Sequence, residues 1–327
     1  MKHRPLIVVA LGGNAILKKG QKGTVEEQWG NVRRAASLLA DLVGMGYRLV
    51  VTHGNGPQVG NLLVMMEAVK DRIPPLTMDI AGAMTQGWIG YMIQQALINE
   101  LRMRNIWLPV VTIVTQVLVD RDDPSFSNPT KYVGPYYTEE EARRLEAEKG
   151  WVMRRDPRGG WRRVVPSPEP LGIVERNAIR HLVGEGYIVI ASGGGGIPVV
   201  MEDGRFRGVE AVIDKDLAAQ LLANSLGADT LLILTDVPGV AINYGRPGER
   251  WLRRVSLDEV EQYYREGHFP PGSMGPKILA SIRFLRGGGR RAIICALEDT
   301  VECVKGRRGT EITVSTGNRG NHVKKLG

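Results

Sequence analysis

Apolar positions along the chain come in two rhythms. Leu6 to Leu11 (LIVVAL) is a continuous apolar run, the pattern of a parallel strand buried on both faces. Val32, Ala35, Ala36, Leu39, Leu42 and Val43 then recur at helical spacing. Thr24 with Glu27 offers a capping box for that helix, and Gly44 and Gly46 end it. A second strand is expected at 48–52. The alternation repeats as a helix after Pro57, a helix near 80–102, an apolar strand region from Ile106, a strand at 187–191 and a helix at 216–226. It continues with a strand at 230–234, a helix capped by Ser256 with Glu259, another helix after Pro276, and strands near Ala292 and Ile312. Strand and helix in alternation predict a doubly wound α/β sheet with helices on both faces.

The stretch from 120 to 170 breaks the rhythm. It holds seven prolines, a short helix start at Thr138 with Glu141, and a hairpin candidate turning at Asp156-Pro157-Arg158-Gly159-Gly160. The reading is a small subdomain inserted at 120–170 between two halves, 1–119 and 171–314, of one continuous α/β domain. The acceptor site is expected in the first half and the nucleotide site in the second. The polar segment 315–327 is a tail. No internal repeat is visible.

Residues 80–99 carry no charge, which raises the membrane question. Thr85, Gln86, Gln94, Gln95 and three glycines interrupt the stretch, so a buried or subunit-facing helix is expected. The apolar run after Met1-Lys2-His3-Arg4-Pro5 is shorter than a secretory signal needs, and two cysteines, Cys295 and Cys303, point to a reducing compartment rather than structural zinc. A cytoplasmic protein with no membrane partner is the expectation. The net charge is +8, with basic residues crowded at Arg154, Arg155, Arg158, Arg162 and Arg163. No nucleic-acid motif or aromatic stacking series accompanies them, so the charge reads as a solvated face or as attraction for small anions.

Glycine is abundant, 41 of 327 residues, and it clusters. Four glycine-rich turns fall at expected strand ends or helix starts. They are Gly12-Gly13-Asn14, His53-Gly54-Asn55-Gly56-Pro57, Ser192-Gly193-Gly194-Gly195-Gly196 and Gly272-Ser273-Met274-Gly275-Pro276-Lys277. Exposed backbone N–H groups at one sheet edge suit a polyanion. Neither GxxxxGK[ST] nor GxGxxG occurs, which excludes P-loop and dinucleotide fingerprints.

Arginine outnumbers lysine, 31 to 12. A position that stays Lys in a Gly/Pro setting therefore suggests a need for a compact, movable ammonium rather than a planar fork. Lys131, Lys215 and Lys277 stand out. Asp214 and Asp216 flank Lys215 and read either as Mg2+ or lysine partners or as N-cap residues; Asp236 has the same two readings. His53 beside a glycine turn has no evident carboxylate partner, and a structural role is expected for it.

Together these residues closely resemble the carbamate kinases of the amino acid kinase family. The match runs through Ala10-Leu11-Gly12-Gly13-Asn14-Ala15, Thr52 to Gly60, Gly82-Ala83-Met84-Thr85-Gln86-Gly87, Asn128-Pro129-Thr130-Lys131 and Val165-Pro166-Ser167-Pro168. It continues through Gly193 to Pro198, Gly208 to Ala218 and Gly272 to Lys277. The resemblance implies a three-layer α/β/α sandwich around a mainly parallel open sheet with a protruding subdomain, and a homodimer. It also implies reversible, Mg2+-dependent phosphoryl transfer between ATP and carbamate, giving ADP and carbamoyl phosphate. By the same resemblance Lys131, Lys215 and Lys277 contact the transferring group and Asp216 holds lysines in place. Gly12, Gly13, Asn14, Gly54 and Asn55 surround the acceptor, while Thr235, Asp236, Tyr244, Met274 and Lys277 border the nucleotide. Two positions depart: Ala81 stands where Cys is frequent, and Ala241 where Tyr is frequent, which affects the fit around adenine. The alternatives are a relative acting on another small carboxylate and a non-catalytic nucleotide-binding regulator; the intact lysines and the Asn128–Lys131 and Val165–Pro168 motifs argue against both.

Overall fold

The run Leu6–Leu11 is strand β1, buried at every position near the middle of the main sheet. The computed structural model describes residues 4–156 and 159–314. The expected tail 315–327 and the middle of the turn at 156–160 lie outside the described residues.

After β1 come α1 (Val25–Gly44), β2 (Arg48–His53), α2 (Gly56–Ala68), α3 (Met78–Met103) and β3 (Val110–Thr112). The chain then leaves through β4 (Gln116–Val119) and forms β5 (Lys131–Tyr137), α4 (Glu139–Lys149), β6 (Val152–Arg155) and β7 (Trp161–Val165). It returns through β8 (Pro170–Ile173) to α5 (Arg176–Gly184), β9 (Ile188–Ile190), β10 (Ile197–Glu202), β11 (Arg205–Gly208), α6 (Lys215–Leu226) and β12 (Thr230–Thr235). The last part holds β13 (Val240–Ile242), β14 (Arg250–Leu252), β15 (Arg254–Ser256), α7 (Leu257–Arg265), α8 (Met274–Arg286), β16 (Arg291–Ala296), α9 (Thr300–Val304) and β17 (Thr310–Thr313).

The main sheet has eight strands in the order β15-β17-β16-β12-β1-β2-β9-β3. All neighbours pair in parallel except β16 with β17. Alternate residues of β1 enter two separate cores. Leu6, Val8 and Ala10 pack with Leu222 of α6 and Ile278 of α8, whereas Ile7, Val9 and Leu11 pack with Leu39 of α1 and Ile93 of α3. A strand whose two faces are both covered by helices has no polar face, which is why the sequence shows a run rather than an alternation. The architecture is a three-layer α/β/α sandwich.

All three capping boxes form, at Thr24/Glu27, Thr138/Glu141 and Ser256/Glu259; each such N-cap contributes about 1 kcal/mol. The charge-free stretch lies within α3. Its Ile89, Ile93 and Leu97 are buried, while Ile80, Met84 and Tyr91 are exposed. No helix of the described residues is long and apolar enough to cross a membrane.

One expected strand begins late, because the region from Ile106 is first used to close α3. Asn105 turns left-handed at φ 56 and the Ile106 N–H returns to the Leu101 carbonyl at 2.9 Å, so pairing starts only at Val110. A second sheet, β11-β10-β4-β8, was not foreseen. It brings together the way out of the first half, the way back and the segment that follows the glycines at 193–196. A third sheet, β5-β7-β6, carries α4, with Ala142, Leu145 and Met153 as a small core of its own. The β6–β7 pairing flanks the expected turn. Arginines of the basic cluster engage internal partners: Arg162 bonds Asp156 at 3.1 Å, Arg163 bonds Glu210 at 2.8 Å, and Arg154 bonds the Asn128 side chain at 2.7 Å. Cys295 and Cys303 are free thiols, both buried.

Candidate active site

The glycine turns converge where β1, β2, β9 and β12 end, the edge at which open α/β sheets bind ligands. Gly12 lies so close to β12 that a Cβ there would stand 2.7 Å from the Leu234 carbonyl oxygen. Gly54 rests against Gly13 and the Lys215 side chain. Asn14 is half-buried in the 3-10 turn Gly13–Ala15 that follows Gly12. At Gly194, φ is +67° and a Cβ would collide with the Asn55 side-chain amide at 2.1 Å. Only glycine satisfies both demands there. Three loops far apart in sequence therefore stack into one backbone-lined surface.

Helix α6 brings charge to that surface. Asp214 is its N-cap, with Oδ1 accepting from the Asp216 N–H at 2.9 Å. Its Oδ2 accepts from Lys131 Nζ at 3.1 Å, so Asp214 serves both as a cap and as a lysine partner. Asp216 is 4% exposed at its side chain and lies between two ammonium groups, Lys215 Nζ at 2.5 Å and Lys277 Nζ at 3.0 Å. Burial alone would raise the Asp216 carboxyl, but the Lys215 and Lys277 charges outweigh it and hold it down at about 2. A carboxylate in the first turn of α6 is also favoured by the helix dipole. The Lys215 and Lys277 ammonium groups are thus held in place by one buried anion. Lys131 comes from β5 in the inserted segment and is 42% exposed at its side chain; it has the most room to move.

Two cavities flank this chain of charges. One, of about 310 Å³, is lined by Thr235, Asp236, Tyr244, Met274 and Lys277, all expected at a nucleotide. Trp251 also lines it and meets Tyr244 edge-on, with ring centroids 5.9 Å apart. Sequence reasoning missed Trp251, because the ribbon β13–β14 that carries it was not foreseen. In that ribbon Trp251 stands directly opposite Ala241, so the small side chain at 241 faces a large aromatic one. The other cavity, of about 580 Å³, is lined by Asn55, Gly194, Gly196 and Lys131 among others. Arg162 borders it too, with its guanidinium bonded to Asp156 and to the Gly134 carbonyl oxygen. Lys277 belongs to the first cavity and Lys131 to the second. The segment Asp214-Lys215-Asp216 links them.

His53 is 1% exposed. Burial pushes its imidazole down to about 4, against the opposing effect of the 3.0 Å contact between Nδ1 and the Gly54 carbonyl. Nδ1 therefore carries the proton, and the ring is neutral at neutral pH. It packs against Gly193, where a Cβ would come within 2.3 Å of Nε2. This is a wedge between two glycine turns.

Comparison with known proteins bears on this arrangement. Residues 5–296 match the amino acid kinase family. The chain is 59% identical over 309 residues to the carbamate kinase of Pyrococcus horikoshii, covering 94% of this chain and 98% of that one. It is 60% identical over the same length to the carbamate kinase of Thermococcus kodakarensis, with the same coverage. Among solved structures, the carbamate kinase of Giardia lamblia bound to AMP-PNP superposes with a TM-score of 0.92 at 45% identity, covering 96% of this chain and all of that one. The chain belongs to the amino acid kinase family, and within it to the carbamate kinases.

Proposed function

We propose that the protein transfers a phosphoryl group reversibly between ATP and carbamate, giving ADP and carbamoyl phosphate. The observation that carries this reading is the line of ammonium groups, Lys131, Lys215 and Lys277, set between two cavities by Asp214 and Asp216. Phosphoryl transfer asks the protein for in-line alignment and for stabilisation of charge spread over three equatorial oxygens. Lys215 and Lys277 supply that charge from fixed positions, and Lys131 supplies it from the inserted segment. Backbone N–H groups of Gly12 and Gly13, with the side chains of Asn14 and Asn55, hold the acceptor, and Gly54, whose own N–H goes to the Leu11 carbonyl at 3.1 Å, leaves it room by lacking a side chain. Carbamate attacks through an oxygen that is already anionic, so no base has to remove a proton, in keeping with the neutral, buried His53.

Adenine would occupy the cavity between Tyr244, Trp251 and Met274, with Thr235 and Asp236 at its edge. Mg2+ would come with the nucleotide phosphates and supply further charge neutralisation. Among the described residues there is no group of three or more His, Cys, Asp or Glu that would hold a metal by itself, and Asp214 and Asp216 are committed to lysines. This fits an ion bound largely by phosphate oxygens and water, as Mg2+ often is. The exposed Ile80, Met84 and Tyr91 of α3 suit the face of a homodimer; Met84→Asp should shift the mass in sedimentation velocity to that of one chain.

A coupled assay for ATP formation from ADP and carbamoyl phosphate tests the activity. In the other direction, ADP release should be fast with carbamate, slow with acetate or bicarbonate, and absent with aspartate, glutamate derivatives or UMP. Arg162 at the edge of the cavity is already bonded to Asp156 and Gly134, and glycine-loop amides fix a small planar anion but discriminate poorly among isosteres. An amino acid or nucleotide acceptor outperforming carbamate would overturn the reading.

A further inference from the structure

The motif Gly82–Gly87 in α3 has no part in the mechanism above, though Gly82 lines the larger cavity, and two of its side chains are polar and wholly interior. Gln86 is 2% exposed and Thr85 is fully buried. Gln86 spends its amide on two separate backbone segments. Its Oε1 accepts from the Thr115 N–H at 2.7 Å, and its Nε2 donates to the carbonyls of Thr115 and Gly193, each at 3.1 Å. Thr115, also fully buried, extends the contact. Its Oγ1 donates to the Ile113 carbonyl at 2.8 Å and accepts from the Ser192 N–H at 3.0 Å. One residue along, Thr85 Oγ1 accepts from the Asn55 side-chain amide at 2.9 Å and donates to the Gly82 carbonyl at 2.8 Å.

These bonds end on the acceptor side of the site. Gly193 opens the turn whose Gly194 and Gly196 line the larger cavity, and Asn55 lines the same cavity. That turn needs holding. Ser192 enters it at φ +52°, a conformation non-glycine residues adopt reluctantly, and Gly194 to Gly196 follow at φ +67°, +95° and +87°. Gly195 and Gly196 give their N–H groups to the Ser192 and Gly193 carbonyls, each at 3.1 Å, so the turn is a closed unit without side chains to fix it, and its aim depends on how the flanking carbonyls and N–H groups are anchored. Helix α3 is seated firmly enough to be the anchor. At Gly90 it approaches β3 so closely that a Cβ would lie 2.3 Å from the Thr112 methyl.

We propose that Gln86, with Thr115, is a positioning pair that sets the 193–196 turn in register for the carbamoyl phosphate end of the reaction. The proposal rests on the acceptor reading of that cavity. Neither side chain touches substrate; each acts through the backbone it holds. The contacts run to the acceptor turn and not to Thr235, Tyr244, Trp251 or Met274. Their loss therefore affects one substrate and spares the other.

The test uses the full chain with ADP and carbamoyl phosphate. Wild-type ATP formation is measured first, and its absence would remove the functional reading irrespective of the pair. Gln86→Met keeps the volume and removes all three bonds; Thr115→Val removes the bond to Ser192, and Thr115→Ser keeps it. We expect kcat/KM for carbamoyl phosphate to fall about 10- to 100-fold in Gln86→Met and Thr115→Val, the scale of a small misplacement of reacting groups. KM for ADP, and the ADP affinity read by calorimetry, should stay within about twofold of wild type, and Thr115→Ser should restore most of the rate. Wild-type constants in both damaging variants would overturn the proposal. So would parallel losses for ADP and carbamoyl phosphate, which is what general loosening of the fold produces. If Gln86→Met does not fold, the Thr115→Val and Thr115→Ser comparison decides between the same outcomes.

Discussion

Asp216 and Lys277 lie 61 residues apart in the chain and 3.0 Å apart in the fold, joined through Oδ2 and Nζ at the starts of α6 and α8. The same carboxylate holds Lys215 through its other oxygen. Two cations that would repel each other are kept side by side by one buried anion, and the arrangement offers positive charge to a phosphoryl group without having to build it at the moment of transfer.

Removing either cation should therefore cost turnover without unfolding the protein. Lys215→Ala and Lys277→Ala are each expected to lower kcat on the order of 10²-fold or more. Circular dichroism should remain at the wild-type signal. Near wild-type rates in both would show that these lysines do not contact the reacting group.

Asp216→Asn should be as damaging as losing a lysine, since it leaves two half-buried ammonium groups without their counter-charge. Steady-state rates across the three single variants and the Asp216→Asn/Lys277→Ala double variant check this. The double variant should lose far less than the sum of its parts. Additive losses would mean that Asp216 and Lys277 act independently.

Stability should decline in acid in two separate windows. The folded His53 sits at about 4 against an ordinary 6.5, so the unfolded chain takes up its proton first. Its contribution, about 3 kcal/mol, is complete above pH 6.5 and lost as pH falls toward 4. The folded Asp216 sits at about 2 against an ordinary 3.8. Its contribution, about 2 kcal/mol, is complete above pH 3.8 and lost as pH falls through 2. Urea midpoints measured against pH should lose the upper decline in His53→Gln and keep the lower one.

Trp251 should matter to the nucleotide and not to the acceptor. Trp251→Ala removes the ring that faces Ala241 and meets Tyr244, and ADP should bind roughly tenfold more weakly. KM for carbamoyl phosphate should not move. Calorimetry with ADP alone reads the first, and unchanged affinity would place adenine elsewhere.

The inserted segment should tighten on its ligands. Lys131 on β5 reaches Asp214, Arg163 on β7 reaches Glu210 at 2.8 Å, and Val133 and Val165 share a small apolar cluster with Met78 of α3, so this segment touches the main domain through ion pairs and a patch separate from the two large cores. Hydrogen exchange at β5 and β7 should slow when ADP and an unreactive carbamoyl phosphate mimic are added together. Unchanged exchange would show that the segment is already closed.

Local patterns in the sequence determined the layers. A run such as LIVVAL, short and bounded by Pro5 and Gly12, reads as a strand covered on both faces, and Thr24, Thr138 and Ser256 each start a helix because the residue three positions on can complete the cap. Glycine clusters and three lysines in a chain rich in arginine pointed to an anion site, because short-range chemistry is written in neighbouring residues. Partners set by distance were not legible. That Gln86 reaches Gly193 and that 116–119 shares a sheet with 197–202 both depend on how the chain crosses over, and that Trp251 faces Ala241 depends on a ribbon the local pattern does not show. Sequence fixes which groups need partners; only the packing of the layers chooses which partners they find, because every one of these contacts joins segments the local pattern treats as independent.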